Sequence, residues 1–304
     1  MANILITGGT GLIGNHLIPR LLDANHSIKL LSRNAGSKKI GNHLIETYQW
    51  NIKNQEIDAA AFKDVDIIIH LAGKNINTRW TKKAKRNIIE SRTASSKLLL
   101  DYLQANAHSV KKIISASAIG YYGDTATKAV LEHEKPGNDF LSITCQKWEA
   151  SVKAFESIDI EVTTLRIGVV LSNKGGAYKA MKTAFSFGLG SAVASGNQFM
   201  SWVHIKDVGS AFIEAVENTD MKGTFNLTAP GAYTNQFFSQ SLAQSLHLPF
   251  FLPNVPEVFL KLFLGERANL LLTSTRTSCD KILNIGFPFE FDNLKQALID
   301  LRNK

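Results

Sequence analysis

The segment NILITGGTGLIG, from Asn3 to Gly14, decides the fold class, because it reads as a strand, a glycine-rich turn and the start of a helix. The turn satisfies G-x-G-x-x-G through Gly9, Gly11 and Gly14, and G-x-x-G-x-x-G when Gly8 replaces Gly9, so its register stays open. Either register lets the backbone approach a pyrophosphate, and the helix N-terminus attracts its negative charge. A purely structural turn is the alternative. The predicted cofactor contacts of this turn are Gly8, Thr10, Gly11, Leu12, Ile13 and Gly14.

The next predicted strand, SIKLLSRN at Ser27 to Asn34, ends where a dinucleotide-binding fold meets the adenosine ribose. An acidic residue there would favour NAD, but the strand ends in Ser32 and Arg33. A hydroxyl and a guanidinium suit a 2′-phosphate, so the pattern predicts NADP as the cofactor. The alternative is that Arg33 is an ordinary solvated loop residue.

A third predicted strand, DVDIIIHLAG at Asp64 to Gly73, reads as fully buried, and the small residues at its end leave room for a cofactor. Leu71, Ala72 and Gly73 are therefore predicted cofactor contacts. In the long helix predicted over Trp80 to Asn106, Arg92 lies on the inward stripe and needs an anionic partner, either a buried carboxylate or a cofactor phosphate.

The alternation of strands and helices continues through KKIISAS, DFLSITCQKWE and EVTTLRIGVVL. This alternation predicts an α/β fold with a Rossmann-like, doubly wound parallel sheet and a smaller, partly helical C-terminal substrate domain. We predict a Rossmann domain over residues 1–172, to which segments near 200–230 return. Residues 173–304 then form the substrate side, with a helical unit at about 250–304.

Composition limits the classes of partner. The chain has 304 residues and a net charge of +8, but its basic residues occur as short pairs without interleaved aromatics, so no nucleic acid is expected. No signal peptide, membrane-spanning run or metal-ligand spacing appears, and two distant cysteines fit a reducing, cytoplasmic setting. The expected partner is a small-molecule substrate, with no membrane, and a homodimer is left open.

The stretches ITGGTGLIG, HLAG, SASAIGYYG, DFLSITCQKWE and SWVHIKDV together resemble the extended short-chain dehydrogenase/reductase superfamily of nucleotide-sugar epimerases and dehydratases. GYYG, GLG, SWVHIKD, NLTAP and FLGE narrow the resemblance to its atypical SDR39U1-type subfamily of epimerase family proteins. The resemblance implies an NADP-binding Rossmann domain without an assigned substrate. Arg166, in the strand at Glu161 to Leu171, is a further predicted cofactor contact.

The resemblance also raises the question of the catalytic acid. In the superfamily a helix carries Tyr-x-x-x-Lys, but alignment places Leu141 and Cys145 in those positions, and neither can do that chemistry. The predicted catalytic residues are instead Ser117, which the superfamily uses to hydrogen-bond the reacting oxygen, with Tyr121 or Tyr122 as acid. Each tyrosine could equally be structural.

Two functional hypotheses follow. The first is an NADP-dependent oxidoreductase or epimerase acting on a sugar-like or phosphorylated alcohol or carbonyl. The second is a non-catalytic NADP(H)-binding sensor or partner-binding protein, which the lost Tyr and Lys would permit. On the substrate side, Gln198, Trp202 and His204 could contact a ligand, although His204 could instead be a satisfied structural histidine. Asp207 could be a helix N-cap or a functional acid. Arg267 and Arg276 are candidate anion contacts.

Overall fold

The computed structural model describes residues 1–303, which leaves only residue 304 of the predicted second domain outside the described part of the chain. Strands and helices alternate along it. The strands are β1 Asn3–Thr7, β2 Ser27–Ser32, β3 Gly36–Ile40, β4 His43–Asn51, β5 Glu56–Ile57, β6 Ile67–His70, β7 Lys112–Ala118, β8 Ala129–Val130, β9 Glu161–Ile167, β10 Val169–Leu171, β11 Phe199–Met200, β12 Trp202–His204, β13 Gly223–Leu227, β14 Tyr233–Thr234 and β15 Arg276–Thr277.

Helices occur where the apolar periodicity of the sequence predicts them. They are α1 Leu12–Asp23, α2 Lys82–Ala105, α3 Phe140–Lys153, α4 Gly176–Ser186, α5 Ile205–Glu217, α6 Asn235–Ser245, α7 Glu257–Leu264, α8 Asn269–Leu272, α9 Asp280–Asn284 and α10 Leu294–Arg302. Asp139 begins α3 by accepting hydrogen bonds from the Leu141 and Ser142 amides, and Thr81 caps α2 through the Ala84 amide.

A large central sheet has the strand order β13-β9-β7-β6-β1-β2-β4-β3, with β5 paired to β4. Its strands are parallel except β3 and β5, which run antiparallel to β4. The chain moves in opposite directions from β1 to β2 and from β6 to β7. Right-handed connections therefore place α1 and α2 on opposite faces. The predicted α/β, Rossmann-like sheet is confirmed.

Two connections differ from the simplest alternating pattern. Between β2 and β4 the chain forms the hairpin strand β3 instead of a helix. The run predicted as one strand from Glu161 to Leu171 is interrupted at Gly168, after which β10 leaves the large sheet and pairs with β12. A Cβ atom on Gly168 would lie 2.8 Å from the Ser201 carbonyl oxygen, so the close approach of this neighbouring segment requires glycine.

Apolar side chains gather in two main clusters. The larger one surrounds the central sheet. It also includes buried apolar side chains between Val203 and Leu227, together with Cys279, Ile282 and Phe287. The second contains Leu171, Tyr178, Trp202, Phe238 and side chains of α10. The division at residue 172 remains a prediction, since both clusters take residues from the later part of the chain.

Among residues 1–303, no helix is both long enough and apolar enough to span a bilayer.

Candidate functional site

The glycine turn between β1 and α1 brings backbone amides to the carboxyl edge of the sheet. Gly8 has φ +70°, and a Cβ there would lie 2.6 Å from the Leu71 carbonyl carbon. A Cβ on Gly14 would lie 2.4 Å from the Gly9 Cα, so Gly14 lets the helix pack on the turn. Gly11 precedes α1 without a side-chain cap, which leaves the first-turn amides available to an anion.

A buried hydrogen-bond network holds the neighbouring strand end in place. The Thr7 hydroxyl and His70 Nδ1 are 2.8 Å apart, and the Ala72 amide donates to the Thr7 oxygen. His70 Nε2 lies 3.2 Å from the hydroxyls of Ser95 and Ser96. Burial lowers the pKa of His70 to about 4, so the ring is neutral near pH 7. The ends of β1 and β6 are thereby fixed beside the glycine turn.

A recess of about 330 Å³ lies at the carboxyl ends of β2 and β4. Arg33 and Lys53 both line it, together with Gln49, Trp50, Asn51 and Ile52, and the lining contains no acidic residue. Ser32 is buried beside the exposed Arg33. Sequence reasoning missed Lys53 and Asn51, although the position of the β4 end in a parallel sheet could have indicated them.

A second recess, of about 600 Å³, runs along α1 from the glycine turn. Thr10, Gly11 and Leu12 line one end of it, and Lys174 and Gly175 also contribute. Leu12 packs against the Gly175–Gly176 turn, because a Cβ on Gly175 would lie 3.5 Å from Leu12 Cδ1. Lys174 is thus a second basic residue that sequence reasoning missed.

Arg92 lies where the sequence predicts an inward-facing charge, but it has no carboxylate partner within residues 1–303. Its guanidinium donates to the carbonyl oxygens of Ile88 and Lys74 and lies 4.8 Å from the Trp148 ring centroid. A Cβ on Gly73 would meet it at 3.0 Å. Burial lowers the pKa of Arg92. The alternative of a buried carboxylate partner is therefore wrong, and a partly buried cation faces the end of β6.

Ser117 belongs to a buried polar network at the ends of β7 and β9. Its hydroxyl donates to Glu149 Oε1 at 2.6 Å. Arg166 donates to both oxygens of the same carboxylate, at 2.9 and 2.8 Å, and also to the Tyr122 hydroxyl and the Glu132 carbonyl oxygen. The cofactor contact predicted for Arg166 finds no support in these bonds, because four of its N–H donors are used inside the protein. Hydrogen bonds to Glu149 raise the pKa of Arg166 against the opposing effect of burial.

The two predicted tyrosines differ in their surroundings. Tyr122 is buried, donates its hydroxyl proton to Asn226 Oδ1 at 2.6 Å and accepts from Arg166. Burial raises the pKa of Tyr122 to about 12. Tyr121 is half-buried, its ring centroid lies 3.5 Å from the Arg166 guanidinium carbon, and its hydroxyl forms no hydrogen bond within residues 1–303. Only Tyr121 retains a phenol free to meet a ligand.

Leu141 and Cys145 face the 3-10 turn Ile119–Tyr122 from α3. A Cβ on Gly120 would lie 3.5 Å from Leu141 Cβ and 4.0 Å from Cys145 Sγ. Burial raises the pKa of Cys145 to about 12, so the thiol is neutral near pH 7. Glu149, one turn further along α3, was missed by the sequence analysis. Its i+4 spacing from Cys145 on the inward face was the available signal.

The substrate-side candidates serve structural contacts. Trp202 is fully buried, and Gln198 donates to the carbonyl oxygens of Val193 and Leu271. His204 is the N-cap of α5, so the N-cap role considered for Asp207 is wrong. Asp207 lies in the first turn and accepts from the amides of Glu290 and Phe291. Burial raises the pKa of Asp207 to about 6.

The two anion-contact candidates also differ. Arg276 donates to the Thr127 carbonyl oxygen and lies 5.0 Å from the Phe199 ring centroid. Arg267 is half-buried, and its Nε has no hydrogen-bond partner within the described chain.

Comparisons with known proteins agree with this fold. A family model described as NAD dependent epimerase/dehydratase family matches residues 4–228, and a domain of unknown function, DUF1731, matches residues 255–301. Epimerase family protein SH2119 from Staphylococcus haemolyticus is 34% identical over 302 residues, which cover 99% of each chain.

Two solved structures are also similar. One is human epimerase family protein SDR39U1, isoform 2, with NADPH; it has 27% identity, a TM-score of 0.85 and 99% coverage of each chain. The other is a nucleoside-diphosphate sugar epimerase from Corynebacterium glutamicum, with 25% identity and a TM-score of 0.76. The match covers 100% of this chain and 59% of that one.

Proposed function

Because this chain belongs to the NAD dependent epimerase/dehydratase family, we propose that it is an NADP(H)-binding oxidoreductase acting on a sugar-like or phosphorylated alcohol or carbonyl compound. In this proposal residues 1–172 hold the cofactor and residues 173–304 form the substrate side. The setting is cytoplasmic and reducing, in keeping with the buried, free thiols of Cys145 and Cys279.

The residues at the sheet edge fit a dinucleotide. The uncapped amides at the start of α1 suit a pyrophosphate. Replacing Gly8 or Gly14 by a residue with a side chain would place its Cβ against neighbouring backbone atoms and disturb the turn. Leu71, Ala72 and Gly73 border the same edge. When bound, the nicotinamide would supply hydride transfer, while the protein's own residues bind, orient and exchange protons.

Arg92 is the proposed second anchor for a cofactor phosphate. Its guanidinium is partly buried, lies against Gly73 and has no ion-pair partner within residues 1–303. A partly buried cation without a carboxylate is costly, and an anionic ligand would offset that cost.

The observation that carries the NADP preference is the recess in which Arg33 and Lys53 occur without an acidic neighbour. Two cations suit the 2′-phosphate that distinguishes NADP from NAD. The human relative solved with NADPH supports the same cofactor.

Titration of the purified protein with NADPH and NADH tests this preference. We expect Arg33→Ala to weaken NADPH binding by roughly 10- to 150-fold and to leave NADH binding nearly unchanged, because one charge-assisted hydrogen bond is lost. Lys53→Ala should act in the same direction. Lys111→Ala removes an exposed charge just before β7, at the opposite edge of the sheet, and is the matched control. Equal affinity for both cofactors would overturn the preference.

Proton exchange is proposed for Tyr121, whose hydroxyl forms no hydrogen bond in the described chain, with Ser117 as a candidate partner. Ser117 already donates to Glu149, so it can offer only its lone pairs to a substrate hydroxyl unless that bond rearranges. Tyr122 is the weaker candidate, since its hydroxyl is engaged on both sides.

The second candidate function is a non-catalytic NADP(H)-binding protein. Leucine and a neutral thiol in the usual Tyr and Lys positions favour it, as does the engagement of Ser117 and Tyr122 in internal bonds. Offering NADPH or NADP⁺ with a panel of aldehydes, ketones, alcohols and nucleotide sugars separates the two functions. Turnover lost in Tyr121→Phe would support the enzyme; tight NADPH binding without any turnover would support the sensor.

A further inference from the structure

The guanidinium of Arg92 is held by the protein along one edge. Its Nη1 donates to the carbonyl oxygens of Ile88 and Lys74 at 2.9 and 3.2 Å, whereas Nε and Nη2 form no hydrogen bond within residues 1–303. The guanidinium carbon lies 4.8 Å from the centroid of the Trp148 ring, which supports the cation from α3. Arg92 is therefore fixed in position and keeps the donors of Nε and Nη2 for a ligand.

The segment that follows β6 gives this guanidinium its room. A Cβ on Gly73 would lie 3.1 Å from Nη2 and 3.3 Å from Nε of Arg92, closer than ordinary van der Waals contact. The missing side chain at Gly73 thus lets the guanidinium lie against the strand end. Gly73 is also a proposed cofactor contact, so the unbonded donors lie at the cofactor edge of the sheet.

The strand order separates Arg92 from the adenosine end of the cofactor. The order β2-β1-β6-β7 puts the Arg33 recess at β2, the glycine turn after β1 and Arg92 beyond β6. Neighbouring strands are about 4.8 Å apart, so the ends of β2 and β6 are roughly 10 Å apart. A dinucleotide with its 2′-phosphate at Arg33 and its pyrophosphate at the glycine turn extends its other half over β6 and β7. Arg92 therefore faces the nicotinamide half.

Position 145 on α3 is a neighbouring place for a cation. Cys145 and Trp148 are both buried, and their spacing of three residues puts them on one face of α3. Burial raises the pKa of Cys145, and the charge of Arg92 opposes that rise, so the two groups are close in space. The Tyr-x-x-x-Lys motif would put a lysine at position 145. In this chain a neutral thiol stands there, and the nearby cation comes from α2.

We propose that Arg92 takes the place of a cation at position 145 and binds the nicotinamide mononucleotide half of NADP(H) through Nε and Nη2. The inference rests on the proposed cofactor and narrows the contact of Arg92 to one half of that molecule. This half offers phosphate and ribose oxygens, which accept hydrogen bonds, and the planar guanidinium can donate to two oxygens at once. An arginine suits the partly buried place better than a lysine, because a guanidinium is less strongly hydrated than an ammonium.

Titration of the full chain with NADPH and with adenosine 2′,5′-bisphosphate locates the contact. The bisphosphate has the adenosine end of NADPH and its 2′-phosphate but no nicotinamide half. We expect Arg92→Ala to weaken NADPH binding roughly 10- to 100-fold and to leave bisphosphate binding within about twofold of wild type. Arg33→Ala should weaken binding of both ligands. Arg86→Ala removes an exposed guanidinium from the same helix and is the matched control.

Binding of the bisphosphate also shows whether a variant is folded. If Arg92→Ala is unfolded, Arg92→Met fills the same space without the charge and gives the same comparison. Unchanged NADPH binding, or an equal loss for both ligands in a folded variant, would overturn the inference while leaving the proposed cofactor intact. Wild type that binds neither ligand would reject the proposed cofactor and this inference with it.

A cation restored at position 145 tests the exchange of places. Adding Cys145→Lys to Arg92→Ala should bring NADPH binding back to within about fivefold of wild type, whereas adding the uncharged Cys145→Met should not. In the presence of Arg92, Cys145→Lys should weaken NADPH binding, because two like charges then share one place. Equal NADPH binding by the two double variants would overturn the proposal. The measurement is of binding alone, so it applies whether or not the protein turns over a substrate.

Discussion

At the scale of single residues, the neighbouring tyrosines show how one peptide step separates two roles. Tyr122, shortly after the end of β7, is buried and bonded to Asn226 and Arg166. The Tyr121 ring centroid lies 3.5 Å from the Arg166 guanidinium carbon, and its hydroxyl forms no hydrogen bond within residues 1–303. The raised pKa of Tyr122, about 12, reflects its burial and makes it a poor proton donor near neutral pH. The same dipeptide therefore contains a phenol with a structural role, Tyr122, and a phenol that is a candidate for proton exchange, Tyr121.

This difference predicts unequal effects of the same substitution on stability. Tyr122→Phe should lower the free energy of unfolding by about 1 to 3 kcal/mol, because Asn226 and Arg166 lose a buried partner. Tyr121→Phe keeps the ring and should change it by less than about 0.5 kcal/mol. Urea unfolding of both variants measures the two values. Equal destabilisation would mean that the Tyr121 hydroxyl has a structural bond after all.

At the scale of elements, the turn between β1 and α1 depends on steric limits that only glycine meets. A Cβ on Gly14 would lie 2.4 Å from the Gly9 Cα, a distance that backbone atoms cannot accommodate without moving α1. Both glycine registers in the sequence include Gly14, so the choice between Gly8 and Gly9 does not affect this requirement.

Gly14→Ala should therefore destabilise the protein by about 1 to 3 kcal/mol through overpacking and weaken NADPH binding by displacing the α1 amides. Gly175→Ala is the control. Its φ is 173°, an extended conformation open to any residue, and the added Cβ would lie 3.5 Å from Leu12. Thermal unfolding and NADPH titration of both variants check the effect. If the Gly14→Ala protein bound NADPH like wild type, the turn would not contribute to cofactor binding.

The helices and strands also show which parts of the fold can be predicted from the sequence. Period and glycine spacing predict β1, α1, β2 and the alternation of strands and helices that indicates a parallel sheet, because these depend on local patterns. The β3 hairpin and the break at Gly168 were not predictable, since both depend on contacts with distant segments. For the same reason Ser117 could be placed at a strand end, but its bond to Glu149 on α3 could not.

At the scale of the whole molecule, two buried groups give stability opposite dependences on pH. Burial lowers the pKa of His70 from 6.5 to about 4 and raises that of Asp207 from 3.8 to about 6. Between pH 4 and 6.5 the unfolded chain binds more protons at His70, so the stability due to its neutral form is lost as pH falls. Asp207 favours folding at low pH, and its contribution is lost as pH rises through about 6. The measured profile of wild type should therefore be shallow.

Comparison of wild type with His70→Gln isolates the histidine, because Asp207 contributes equally to both proteins. At pH 7 the variant should be less stable, since Thr7, Ser95 and Ser96 lose a well-fitted partner. As pH falls from 7 to 4, protonation of His70 in the unfolded chain lowers the free energy of unfolding of wild type but not of the variant. The difference in free energy of unfolding between the two proteins, the gap, should therefore shrink by on the order of 3 kcal/mol. Urea unfolding at several pH values measures the gap, and His133→Gln, at an exposed site, should follow wild type throughout. A gap that stays constant from pH 7 to 4 would mean that His70 takes up its proton as readily in the folded chain as in the unfolded one. In that case the network joining β1, β6 and α2 must open to water.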